Sequence, residues 1–295
     1  MADFLERMAR ASAARAAQAF GRLPEGQLLA RALSAPPPKP LRLEGSGFDL
    51  IAEFKRRAPS AGTLSDGVRP MKAAEAARRY VEGGAAAVSV LTEPEEFSGS
   101  LEDLAAAAGA VAAPVMRKDF LVDPRQVLEA RAHGASGVLL ILRLLDQEHL
   151  EEMLAAARAA SLFVLLEAFD EADLARISEA GVRTDSGGPA LLVGLNCRDL
   201  ATLRLEPERL VRLRGAFPHG PPGIAESGLE TEEDARRVAR LGYRAALVGS
   251  ALMRAVDPAA RVSAMLRAGR REAALRAIAP GEADEEMKRQ ARVKR

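Results

Sequence analysis

Tryptophan is absent from the 295 residues, tyrosine occurs twice, and there is a single cysteine, Cys197. One cysteine excludes an internal disulfide and a multi-cysteine zinc site, and it fits a reducing compartment. The histidines number three, His133, His149 and His219, scattered and without an HExxH spacing, which argues against a histidine-built metal centre. Charge of one sign is lacking too: 42 Lys plus Arg nearly cancel 41 Asp plus Glu, so no overall field favours nucleic acid or an anionic membrane surface. Any anionic ligand has to be captured locally. No apolar run reaches the ~18 residues of a membrane span. The opening "MADFLERMARASAARAAQAFGR" lacks the apolar stretch of a signal peptide and reads as an amphipathic helix. The expectation is a cytoplasmic protein without nucleic-acid or membrane partners, as monomer or homodimer.

What is present is a globular composition, 48% hydrophobic and 28% charged. Two helical segments open the chain, over about residues 2–20 and 25–34. "SAPPPKP" ends them, because four prolines in five positions cannot sit inside a helix. Eight short apolar runs follow: "DLIAEF", "AAAVSVL", "APVM", "GVLLIL", "LFVLLEA", "ALLVGLN", "GIAES" and "AALVGS". They are continuous rather than alternating in polarity, as parallel strands covered on both faces require. Helical segments lie between them. "TEEDARRVARLG" has Thr231 as N-cap, Ala235, Val238 and Ala239 facing inward and Gly242 as stop, and "DEADLARISEAG" repeats the plan from Asp170 to Gly181. Strand, helix, stop, repeated eight times, predicts a single (β/α)8 barrel over residues 46–268. An N-terminal helical extension over the mouth (1–45) precedes it, and a flexible charged tail (269–295) follows.

In such a barrel function sits where strands run out into the following helices. Here strand 1 ends in Glu53 and Lys55, strand 3 in Arg117 and Lys118, and strand 5 in Glu167. Strand 6 ends in Asn196 and Arg198, strand 7 in Glu226 and Ser227, and strand 8 in Gly249 and Ser250. Strand 2 runs into "LTEPEEFSGS", which makes seven polar exits of eight, while the opposite ends open on small or apolar residues. Lysines among glutamates can stay ionised when half-buried and serve as acid and base. Gly228 and Gly249 leave backbone N–H groups open to a phosphate. Taken singly each feature has a plainer explanation: a lysine after a strand is usually ion-paired structure, a Gly-Ser is usually a turn, Asp123 reads as the cap of a helix begun by Pro124, and Cys197 as a small packing residue.

The motifs "IAEFKRRAPSAG", "VSVLTEPEEFSGSLEDL", "PVMRKDFLVDPRQVLEARAHGASGVLLI", "LLEAFDEADL", "VGLNCRDLATL", "AESGL" and "ALVGSALMRAVDP", in this order, make the chain resemble the indole-3-glycerol phosphate synthase family of tryptophan biosynthesis across residues 4–268. The resemblance implies ring closure, decarboxylation and dehydration of 1-(2-carboxyphenylamino)-1-deoxyribulose 5-phosphate, a small phosphorylated substrate, with no cofactor and no metal. By motif, Lys118 would be the general acid on the ribulose carbonyl and Glu167 the general base in dehydration. Glu53 and Lys55 would stand close to the reacting hydroxyls. Arg198 and Asn196 would hold the benzoate carboxylate, Glu226 and Ser227 the ribulose, and Gly228, Gly249, Ser250 and Lys55 the phosphate. Phe97 and Phe120 would form the pocket for the aromatic ring. Which lysine serves which step is left open.

The chain departs from the family pattern in four places. Ala58 stands where the family usually has a serine, and Cys197 where it usually has an asparagine. The segment "PPPKPLRLEGSGFDL" is short, and the link "GVRTDSGGPALLVG" is long. The alternatives are a barrel kept as a binding module, to which Ala58 and Cys197 lend weight, an isomerase of a related phosphorylated sugar amine that has no need of Arg198, and nucleic-acid binding through "KRQARVKR", against which the near-zero net charge argues.

Overall fold

The structure is a computed structural model describing residues 4–21, 24–44, 47–58, 62–63, 71–179, 190–199 and 202–278. All eight apolar runs are strands: β1 (Asp49–Phe54), β2 (Ala87–Leu91), β3 (Val115–Lys118), β4 (Gly137–Ile141), β5 (Phe163–Ala168), β6 (Leu191–Asn196), β7 (Gly223–Glu226) and β8 (Ala245–Val248). They pair in parallel and in chain order, and β1 closes on β8 to complete a barrel. Almost every strand residue is buried, because one face looks into the barrel and the other onto helices. Ile51, Met116, Leu165, Leu192 and Ile224 fill the interior. Leu50, Val88, Leu140 and Val193 pack outward against the helices.

The helices are α1 (Phe4–Phe20), α2 (Glu25–Ser34), α3 (Ala73–Glu82), α4 (Leu101–Ala110), α5 (Pro124–Ala132), α6 (Gln147–Ala159), α7 (Glu171–Glu179), α8 (Glu208–Arg212), α9 (Glu232–Arg240), α10 (Ser250–Met253) and α11 (Pro258–Ile278). Their starts follow local chemistry. Asp123 caps α5 with Pro124 in the first turn and Gln126 closing a capping box, and Thr231 with Asp234 does the same for α9. Each such cap contributes about 1 kcal/mol. Gly242 ends α9 with φ +85°, a left-handed turn that glycine adopts without strain.

Four features were not foreseen. A short hairpin pairs Arg57–Ala58 with Gly62–Thr63 beside the mouth. Asp49 is a charged residue at the start of a strand; it accepts from Arg270 and from the Glu44 N–H at the closed end of the barrel. The last helix does not stop at Gly269, where the tail was expected to begin, but runs on to Ile278. Gly269 is a packing residue, for a Cβ there would lie 2.1 Å from the Phe48 ring, and Arg270 donates to the Phe48 carbonyl. The tail beyond residue 278, Gly181 and the long link before β6 lie outside the described residues.

α1 sits at the mouth, as expected for the N-terminal extension. Leu5 and Met8 join the interior cluster, and the Ser12 hydroxyl accepts from Gln126 Nε2 at 2.9 Å.

Candidate active site

A cavity opens at the C-terminal ends of the strands, and every candidate site residue named from the sequence lines it. The charged half is built on a ladder of neighbouring strands. Because interior side chains recur every second residue, the register that sets Leu91 beside Lys118, Glu167 beside Gly194 and Asn196 beside Glu226 brings their functional groups to one level.

Lys118 Nζ is 3.6 Å from Glu167 Oε2, and Lys55 Nζ is 2.7 Å from Glu53 Oε1. Asn196 Nδ2 donates to the other Glu167 oxygen, which fixes that carboxylate. Glu53, Glu167 and Glu226 are each at most 2% exposed. One oxygen of each has no hydrogen-bond partner among the described residues. A buried carboxylate oxygen left without a hydrogen bond is costly, and it persists where a ligand or a reaction uses it.

The electrostatics sort these groups. Burial alone would lower the Lys118 pKa, but the fields of Glu167, Glu226 and Glu53 outweigh it and hold the pKa above its usual value, so the ammonium stays charged. Burial pushes the Glu226 carboxyl well above the usual range, and repulsion from Glu167 and Glu53 adds to this against the attraction of Lys118. Glu226 is thereby biased toward keeping its proton beside the Lys118 ammonium.

Opposite this ring lies an apolar wall. Phe97 and Phe120 approach with ring centroids 6.2 Å apart, and Phe4 of α1 meets Phe120 edge-on at 5.9 Å. Leu91, Ile141 and Leu247 complete the floor. A flat aromatic group fits beside such rings.

The third side is the turn after β7 and the start of α10. Ser227 and Gly228 are both left-handed, with φ +70° and +68°. Strain of this kind at a serine is characteristic of functional turns. Gly249 has no room for a side chain: a Cβ would lie 2.4 Å from Glu53 Oε1 and 3.1 Å from Lys55 Nζ. Cys197 lies beneath this turn, 1% exposed, and its thiol donates to the Ser227 carbonyl at 3.2 Å. Burial raises its pKa, so it is an unreactive packing thiol that supports the turn. Arg198 donates to the Leu203 carbonyl at 2.9 Å, and its N–H to Asn196 Oδ1 at 2.8 Å.

The alternation of a strand should turn the neighbours Arg117 and Asp119 away from Lys118. Arg117 conforms: it is 3% exposed and donates to the Thr92 hydroxyl, the Gln126 carbonyl, Glu129 and Asp119. Asp119 joins that network and also borders the cavity. Two contributors escaped sequence reading. Gly194 makes room for the Glu226 carboxylate, and its one signal was a glycine inside a strand. Glu93 organises the loop carrying Phe97, and nothing in "LTEPEEF" separates it from its two neighbouring glutamates. Among the described residues no group of three or more His, Cys, Asp or Glu is placed to hold a metal ion, and no helix is long and apolar enough to cross a membrane.

Comparison with known proteins agrees with this geometry. Among solved structures the fold is similar to 3-hexulose-6-phosphate synthase from Salmonella typhimurium, with a TM-score of 0.58 at 16% identity over 76% of this chain and 99% of that one. It is also similar to phosphoribosylanthranilate isomerase from Thermotoga maritima, with a TM-score of 0.51 at 14% identity over 75% and 98%. At such identities the likeness concerns the barrel alone. In sequence, the chain is 40% identical over 245 residues to an indole-3-glycerol phosphate synthase of Mycobacterium ulcerans, covering 82% of this chain and 86% of that protein. It is 43% identical over 227 residues to one of Parafrankia, covering 77% and 81%. The family model described as indole-3-glycerol phosphate synthase matches residues 22–265. The chain thus belongs to the indole-3-glycerol phosphate synthase family, decarboxylating lyases of tryptophan biosynthesis.

Proposed function

We propose that this mouth closes the pyrrole ring of 1-(2-carboxyphenylamino)-1-deoxyribulose 5-phosphate, with Lys118 as the general acid and Glu167 as the general base. The observation that carries the reading is a charged lysine ringed by three buried carboxylates and facing an aromatic wall.

The benzoate ring lies against Phe97 and Phe120. Arg198 and Asn196 turn toward the carboxylate, and the phosphate rests on the backbone of Gly228, Gly249 and Ser250 with Lys55 nearby. The aromatic carbon bearing the carboxylate attacks the ribulose carbonyl, and the carbonyl oxygen takes a proton from Lys118 to become a hydroxyl. Cleavage of the bond to the carboxylate then releases carbon dioxide and restores the aromatic ring. In the last step Glu167 removes a ring proton while the hydroxyl departs as water with a proton from Lys118 or Lys55. One proton is consumed overall, balancing the carboxylate charge lost as carbon dioxide. A positioned ammonium beside a developing alkoxide in a water-poor site contributes on the order of 3 kcal/mol. Glu226 and Ser227 orient the ribulose hydroxyls, and Glu53 holds Lys55 in place.

Ala58, 5% exposed at the edge of the cavity, presents only a methyl there, and none of the proposed proton transfers uses it. The test is turnover of the carboxyphenylamino ribulose phosphate by the purified chain, followed by indole absorbance. Tight binding of the substrate with no indole product would refute the catalytic reading.

A further inference from the structure

The two phenylalanines of the aromatic wall are held from behind by buried carboxylates. Glu93, 0% exposed just past β2, accepts the backbone N–H groups of Glu95 at 3.0 Å, Glu96 at 2.7 Å and Phe97 at 3.2 Å. Asp119 accepts the N–H of Phe120 at 2.8 Å through Oδ1, and through Oδ2 it accepts the Thr92 hydroxyl at 2.7 Å and Arg117 at 3.1 Å. Each carboxylate therefore fixes the backbone of one ring. Arg117 partly neutralises Asp119. Glu93 meets one cation among the described residues, and that cation comes from outside the barrel. It is Arg15 of α1, with Nη1 at 3.6 Å from Glu93 Oε1 and Nη2 at 3.1 Å from Asp119 Oδ1.

We propose that Arg15 is a positioning residue for the aromatic pocket: one guanidinium bridges Glu93 and Asp119 and so sets Phe97 and Phe120 at their working separation. The inference rests on the reading of that pocket as the seat of the substrate's ring. A fork of donors suits the task, because it spans two carboxylates with a fixed distance between them. Loss of the bridge leaves Glu93 buried without a counter-charge, and such a group turns toward water and takes its backbone hydrogen bonds with it. Arg15 itself does not line the cavity, so its effect on the substrate passes through the two rings.

The full chain is compared with Arg15→Ala and Arg15→Lys by steady-state kinetics on the carboxyphenylamino ribulose phosphate and by amide hydrogen exchange without ligand. Arg15→Ala is expected to raise KM about tenfold with kcat within about twofold. Exchange at the N–H groups of Phe97 and Phe120 is expected to quicken while that of the barrel strands does not. Arg15→Lys, which reaches one carboxylate at a time, recovers part of both effects and keeps the test valid if the alanine variant folds poorly. Unchanged exchange at Phe97 and Phe120 overturns the proposal whatever the kinetics. Quicker exchange with an unchanged KM overturns it as well, since Arg15 then serves only to fasten α1. Failure of the unaltered chain to turn over the substrate would strike the functional reading instead, and the exchange comparison still decides whether Arg15 holds the two segments.

Discussion

Gly194 on β6 lies directly beneath the carboxylate of Glu226 on β7: a Cβ at Gly194 would sit 1.8 Å from Glu226 Oε1. The absence of a side chain on one strand thus creates the position of a functional group on the next. Gly194→Ala is expected to displace the carboxylate and lower kcat/KM by about 10- to 100-fold, with only a few degrees of change in Tm. A variant with normal kcat/KM and a shifted Glu226 would show that the carboxylate works from either position.

Neighbouring residues on β3 should separate cleanly by what they lose. Lys118→Ala is expected to reduce product formation by about 10³-fold or more while still binding indole-3-glycerol phosphate. Turnover near the normal rate would remove Lys118 from the role of acid.

Arg117→Met is expected to act on the fold. It strips a cation from Asp119 and Glu129 and a donor from the Gln126 carbonyl, inside the structure rather than at its surface. Breaking such a buried network costs about 3–5 kcal/mol, readable in urea unfolding. A loss under about 1 kcal/mol would mean that the network relaxes without this residue.

The pH dependence of stability should carry the mark of Glu226. Folding raises its pKa above the unfolded value of 4.5, so the native state holds the proton more tightly than the unfolded chain does. Its contribution is whole below that value and is lost as pH rises through the folded pKa. Glu226→Gln does not titrate, so the stability of the variant relative to the parent should grow as pH rises from about 4.5 through the folded pKa of Glu226. A difference flat across that range, measured by urea unfolding, would contradict the assignment.

The barrel was legible because each strand is a run of apolar residues of the right length and each helix begins at a residue that caps it, as Asp123 and Thr231 do. The charged ring was legible because Lys118, Asn196 and Glu226 occupy the last positions of their strands and Glu167 the last but one. What stayed hidden depends on a second segment. Gly194 matters through Glu226 on the adjacent strand, Glu93 through three N–H groups that only the folded loop gathers, and Gly269 through Phe48 far away in the chain. No local pattern distinguishes such residues, because their reasons lie across the fold.

One contact also bears on the order in which the molecule can be made. Gln126 closes the capping box of α5 with its carbonyl and holds Ser12 of α1 with its amide, across 114 positions of sequence. A chain emerging from the ribosome therefore makes α1 first and its berth much later. Until the segment from Asp119 to Gln126 has been synthesised, the helix that completes the mouth lacks the partners of Arg15 and Ser12 on that segment, so its docking is completed only after β3 has been made.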